Sequence, residues 1–88
     1  MRESKVQTRI REKLEKAGWF VLKIIQSNKN GIPDLFAFRD GRTVWIEVKA
    51  PGKKADPLQE LRMEELTAAG MEAYVVDSID VLKYILDI

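Results

Sequence analysis

Apolar positions recur along this 88-residue chain in two different periods, and the changes of period divide it into successive elements. Val6, Ile10, Leu14 and Ala17 stand at helical spacing, which predicts a helix over 3–17 closed by Gly18. The stretch WFVLKIIQ (19–26) is dense in β-branched and aromatic residues and predicts a strand. SNKNGIP (27–33) is polar and turn-prone, and Pro33 holds Ile32 extended. DLFAF (34–38) and TVWIEVK (43–49) flank RDGR (39–42), whose Asp-Gly pair is a hairpin signal. After the loop APGKKAD (50–56), Asp56 as N-cap, Pro57 at N1 and Gln59 at N3 predict a helix to about Ala69, ended by Gly70. MEAYVV (71–76) predicts a fourth strand, and Asp77 or Ser78 caps a last helix reaching Leu86.

The order α-β-β-β-α-β-α predicts an α/β fold, a single domain over 1–88 with one mixed four-stranded sheet flanked by helices. The fourth strand is reached from the third through a helix, so that pair is expected to be parallel with a right-handed crossover. No cysteine and no histidine occur, which excludes a Ser-His-Asp triad, disulfides and the common zinc sites. Any metal must therefore be held by oxygen, which favours magnesium or manganese. The opening MRESKVQTR has no apolar leader, and no apolar run approaches the ~20 residues that cross a bilayer. A cytoplasmic protein with no membrane contact is expected. A net charge of +1 leaves any nucleic-acid binding to local basic patches.

The hairpin carries the chemistry. With Asp40-Gly41 as its two-residue loop, Arg39 pairs with Arg42, Phe38 with Thr43, and Asp34 falls directly across from Glu47. Alternation puts Lys49 on the same face as the two acids and turns Val44, Ile46 and Val48 to the other. Carboxylates held so close repel each other unless a cation lies between them. On the first helix Glu3 falls about 20° from both Ile10 and Leu14, on the buried stripe, whereas Glu12 and Glu15 face solvent. Gln59 shares a stripe with Met63 and Leu66 and also points inward on this geometry. Each residue has a plain structural role as an alternative. Glu-x-Lys is common on solvated strands, Glu3 suits a helix N-terminus, and Gln59 suits a capping box. Their convergence favours a site.

Two carboxylates, a backbone carbonyl and a lysine are what metal-assisted phosphodiester hydrolysis requires. Asp34, Glu47 and the carbonyl of Val48 would hold a divalent ion, with Glu3 joining directly or through water. Lys49 would orient the attacking water and stabilise charge on the phosphate, and Gln59 would hold the water or a phosphate oxygen. No small organic cofactor is called for.

These residues resemble the PD-(D/E)xK nuclease superfamily, and more specifically its VRR-NUC (virus-type replication-repair nuclease) family. Gly31-Ile32-Pro33-Asp34 is similar to that family's G-x-P-D motif, and Glu47-Val48-Lys49 to its E-x-K, running into Ala50-Pro51-Gly52. Glu3 and Gln59 stand where the family has its first-helix glutamate and its glutamine. The resemblance covers nearly the whole chain and implies a restriction-endonuclease-like core. It also implies magnesium- or manganese-dependent endonuclease activity on DNA. Its stand-alone, typically phage-encoded members look like dimeric resolvases of four-way (Holliday) junctions. A homodimer acting on branched DNA is therefore expected. The alternatives are a flap or nicking nuclease of the same fold and, in another class, a DNA-binding protein that does not cleave.

Among basic residues, Arg9 on the first helix and Lys53-Lys54 in the loop beside the site are the candidates for DNA contact. Phe36, Phe38 and Trp45 share the hairpin face with the site and are expected to be core rather than platforms for stacked bases. With Leu61 off its stripe and Val81, Leu82, Ile85 and Leu86 on the last helix, apolar surface exceeds what so small a chain readily covers, which favours self-association.

Overall fold

Strand alternation decides where the core sits. The computed structural model describes residues 1–88 as α1 (Glu3–Lys16), β1 (Phe20–Lys23), β2 (Leu35–Arg39), β3 (Arg42–Val48), α2 (Pro57–Ala68), β4 (Glu72–Val76) and α3 (Ile79–Leu86). The four strands lie in the order β1-β2-β3-β4. The first two pairings are antiparallel and β3–β4 is parallel, as the intervening helix requires. Leu35 and Ala37 of β2, Val44, Ile46 and Val48 of β3, and Val76 of β4 point to one face. There they meet Val6, Ile10 and Leu14 of α1 and Leu82 and Leu86 of α3 in one core. The predicted apolar stripe of α1 and much of that of α3 are thus consumed by the sheet. α2 contributes no buried residue; it packs against β4.

The first strand is shorter than its composition predicts. Trp19 belongs to the end of α1, because its N–H donates to the Leu14 carbonyl at 3.0 Å once Gly18 has turned the chain at φ +89°. At the other end, Ile24 donates to the Asp34 carbonyl at 2.8 Å, and the chain then turns towards β2 through Gly31 at φ +82°. Ser78 is the cap of α3, accepting from the Val81 N–H at 3.2 Å, and Asp77 instead accepts from the Gly52 N–H at 3.0 Å.

The expectation that Phe36, Phe38 and Trp45 are core is overturned. They alternate with the core positions and so lie on the opposite face, where no helix buries them fully. Phe36 packs on Trp45 at 4.5 Å and on Phe38 at 5.9 Å, and Phe38 stacks on Phe20 at 4.8 Å. At the hairpin end of the sheet, Arg42 forks onto Glu72 with two 2.7 Å hydrogen bonds, and Tyr74 donates a third at 2.7 Å. The Arg42 guanidinium, with help from the Tyr74 hydroxyl, draws the Glu72 carboxyl down to about 2. This ties the starts of β3 and β4 together and leaves the other end of the sheet for chemistry.

Candidate active site

Five segments converge at that other end: the N-terminus of α1, the chain entering β2, the end of β3, the end of β4 and the loop 50–56. The hairpin register is the predicted one, running from Arg39↔Arg42 to Leu35↔Ile46. The next residues on, Asp34 and Glu47, lie just beyond the last paired rung. Val48 would next bond to residue 33, but Pro33 has no N–H to give. The Val48 N–H instead donates to Asp34 Oδ2 at 2.9 Å. Proline thus leaves the Val48 carbonyl without a donor from β2, while the Asp34 carboxylate, beside Glu47, takes the Val48 N–H in place of the Pro33 carbonyl.

Glu47 is only 2% exposed. Its Oε2 lies 3.6 Å from Lys49 Nζ, while its Oε1 is buried without any partner. Burial, then the charge of Asp34, push its carboxyl up to about 8 against the opposing pull of Lys49. An orphaned oxygen on a buried acid is costly, and a cation relieves both the lost hydrogen bond and the repulsion. Lys49 is fixed from β4, its N–H donating to the Val76 carbonyl at 3.0 Å.

Glu3 and Gln59 depart from their expected placement. Glu3 is half-exposed, because it opens α1 beyond the end of the core its stripe covers; it reaches Lys49 Nζ at 4.0 Å. The acids do not close into a three-carboxylate cluster. Asp34, Glu47 and the Val48 carbonyl nevertheless form an oxygen donor set of the kind a hard divalent ion takes, with water completing the shell. Gln59 closes the capping box of α2. Its Oε1 accepts from the Asp56 N–H at 3.0 Å and its own N–H donates to Asp56 Oδ1 at 2.9 Å. The box uses only Oε1, so the Nε2 hydrogens remain for another acceptor.

Two contacts absent from the sequence expectations seat α2 beside the site. A side chain on Gly31 would come within 2.9 Å of Leu58 Cγ and 3.2 Å of its backbone, so glycine lets the Gly31 turn abut the first turn of the helix. Arg62 Nε then donates to the Asn30 carbonyl at 2.8 Å. Asp77, bonded to Gly52, anchors the loop that carries Lys53 and Lys54. No local pattern announces such partners, which are distant in sequence. Lys53 and Lys54 are exposed, as is Arg9. Arg9 lines the largest cleft, about 370 Å³, together with Met1, Val6, Pro51 and the start of α3. None of the clefts is lined by Asp34, Glu47 or Lys49.

The VRR-NUC domain family model matches residues 1–80. A relative named "Putative nuclease p44", from Acyrthosiphon pisum secondary endosymbiont phage 1, is 32% identical over 81 residues, covering 91% of this chain and 87% of its own. A solved structure described as a VRR_NUC domain superposes with a TM-score of 0.86 at 29% identity, covering 97% of this chain and 94% of that one. With fold, motif order and relatives in agreement, the chain belongs to the VRR-NUC nuclease family.

Proposed function

We propose that this chain hydrolyses phosphodiester bonds in DNA with magnesium or manganese, and that it acts as a dimer on branched DNA such as a four-way junction. The observation that carries this reading is the buried, unpartnered carboxylate oxygen of Glu47, placed beside Asp34, the Val48 carbonyl and Lys49. A bound divalent ion would polarise the scissile phosphate and acidify a water.

The chain's own groups do the rest. Asp34, held by the Val48 N–H, and Glu47 supply negative charge from rigid strand positions. Lys49 Nζ, kept in place by Glu47 and Glu3, donates to the attacking water and to a non-bridging phosphate oxygen as negative charge builds there. Gln59 Nε2 is a further donor to that phosphate. Arg9, Lys53 and Lys54 hold the flanking backbone.

Cleavage of four-way junction, flap, nicked and linear duplex compared side by side tests the proposal. The expected result is preferred cutting of the junction by two symmetric incisions. Faster cutting of the flap or nicked duplex would reassign the substrate. No product with any divalent ion would overturn the activity.

A further inference from the structure

α1 gathers its cations on one side. At ~100° per residue, Arg2, Lys5, Arg9, Lys13 and Lys16 fall within an arc of about 80°, beside the stripe of Val6, Ile10 and Leu14 that the core buries. Lys13 is half-buried and the others are exposed. None of these residues meets a carboxylate, whereas Arg11, Arg39, Arg42 and Arg62 each form an ion pair. Arg9 reaches only the Met1 sulfur, at 3.8 Å.

Helix stability accounts for one end of this stripe and not the other. Lys13 and Lys16 suit the negative, C-terminal end of the helix dipole. Arg2 and Lys5 stand at its positive end, and Arg2 occupies the N-cap without providing a side-chain cap. Cations placed there against the dipole call for an anionic partner. The stripe also begins at the active site, since Glu3, next to Arg2, reaches Lys49 Nζ at 4.0 Å.

From this we infer that the basic stripe of α1 is the track along which one duplex arm of the DNA leaves the active site. The inference deepens the proposed function, which used Arg9 alone on this helix, and rests on it for the identity of the anion. From Arg2 to Lys16 the helix rises ~21 Å, the length of ~6 base pairs, so the track matches a duplex arm rather than a single phosphate. An anionic lipid surface does not fit, because the apolar side chains of α1 are already consumed by the sheet and leave none to enter a membrane. Glu12, Asp77 and Asp80 line the clefts beside Arg9, which keeps phosphates on the crest of the helix rather than in those clefts.

Fluorescence anisotropy of a labelled four-way junction with the full chain, in chelator and over a range of salt, tests the track without any cutting. Lys16→Glu reverses a last-turn lysine on the stripe. Lys83→Glu reverses a last-turn lysine of α3 and so matches it in charge and in helix position. At about 50 mM salt, losing one phosphate contact weakens binding ~10-fold. Lys16→Glu is therefore expected to bind at least ~10-fold more weakly than wild type, and Lys83→Glu within ~2-fold of it. Lys13→Ala combined with Lys16→Ala is the second variant, and should flatten the slope of log affinity against log salt by ~1–2. Equal losses from the two charge reversals, or an unchanged slope in the alanine pair, would overturn the inference. So would a wild-type protein that binds no DNA. Should Lys16→Glu fail to fold by circular dichroism, the alanine pair decides. The expected pattern in a protein that never cuts DNA would uphold the track and overturn only the proposed activity.

Discussion

Replacing Glu47 by glutamine removes a buried charge that the fold tolerates poorly in the absence of metal. Unfolded, this carboxyl ionises near 4.5; folded, burial and Asp34 hold it up to about 8. Between those values the native state binds the extra proton, so metal-free stability is greatest at low pH and falls as pH rises through the folded value. At ~1.4 kcal/mol per pKa unit the shift caps the loss at ~5 kcal/mol. Relaxation of the site and water entry around the charged form reduce the expected loss to ~1–3 kcal/mol. The glutamine variant lacks this pH-dependent loss, while its other titrating groups are those of the wild type. Urea unfolding of both proteins in chelator, at about pH 5 and about pH 9, isolates the contribution of Glu47 as a difference of differences. The variant should gain on the wild type by ~1–3 kcal/mol between those pH values. It should also lose cleavage. Parallel pH profiles for the two proteins would refute the account of Glu47 as a strained, cation-seeking acid.

Gly31→Ala forces a side chain into the left-handed region and against Leu58, so a loss of ~1–3 kcal/mol in chemical unfolding is expected, with slower cleavage as α2 shifts. Removing the Arg42–Glu72 fork with Glu72→Gln should cost only ~0.5–1 kcal/mol at neutral pH, since both groups are partly exposed. Because the Glu72 carboxyl is drawn down to about 2, that difference should vanish as pH falls towards that value, as acid unfolding curves will reveal. Replacing both Lys53 and Lys54 by alanine should weaken DNA binding across sequences and flatten its salt dependence by a slope of ~1–2, measured by fluorescence anisotropy.

The fold was legible because its signals are local. Asp40-Gly41 set the hairpin register, and that register alone brought Asp34 to Glu47 and put Lys49 on their face. Pro57 and Asp56 fixed the start of α2. What could not be read depends on how elements pack. The helical wheel correctly set Glu3 on the stripe of Ile10 and Leu14 but gave no account of where the core ends along the helix axis. Gln59 shows a role that two hypotheses share, since a capping residue can still offer its amide nitrogen. The aromatic face of the hairpin looked like core because β-strand composition does not say which side of a sheet a helix will cover. Gly31 against Leu58 and Arg62 on Asn30 join segments with no mutual signal in the sequence.

The central claim is that Asp34, Glu47 and Lys49 form one metal-assisted phosphodiester-cleaving centre. Single-turnover cleavage of a four-way junction, with magnesium or manganese and then with chelator, tests it most directly. Wild type is compared with Asp34→Asn, which keeps an acceptor for the Val48 N–H, and with Lys49→Ala. The account predicts metal-dependent product from the wild type, and a fall of at least ~10²–10³-fold in both variants with junction binding retained. Undiminished cutting by either variant, or product in chelator at the wild-type rate, would contradict it.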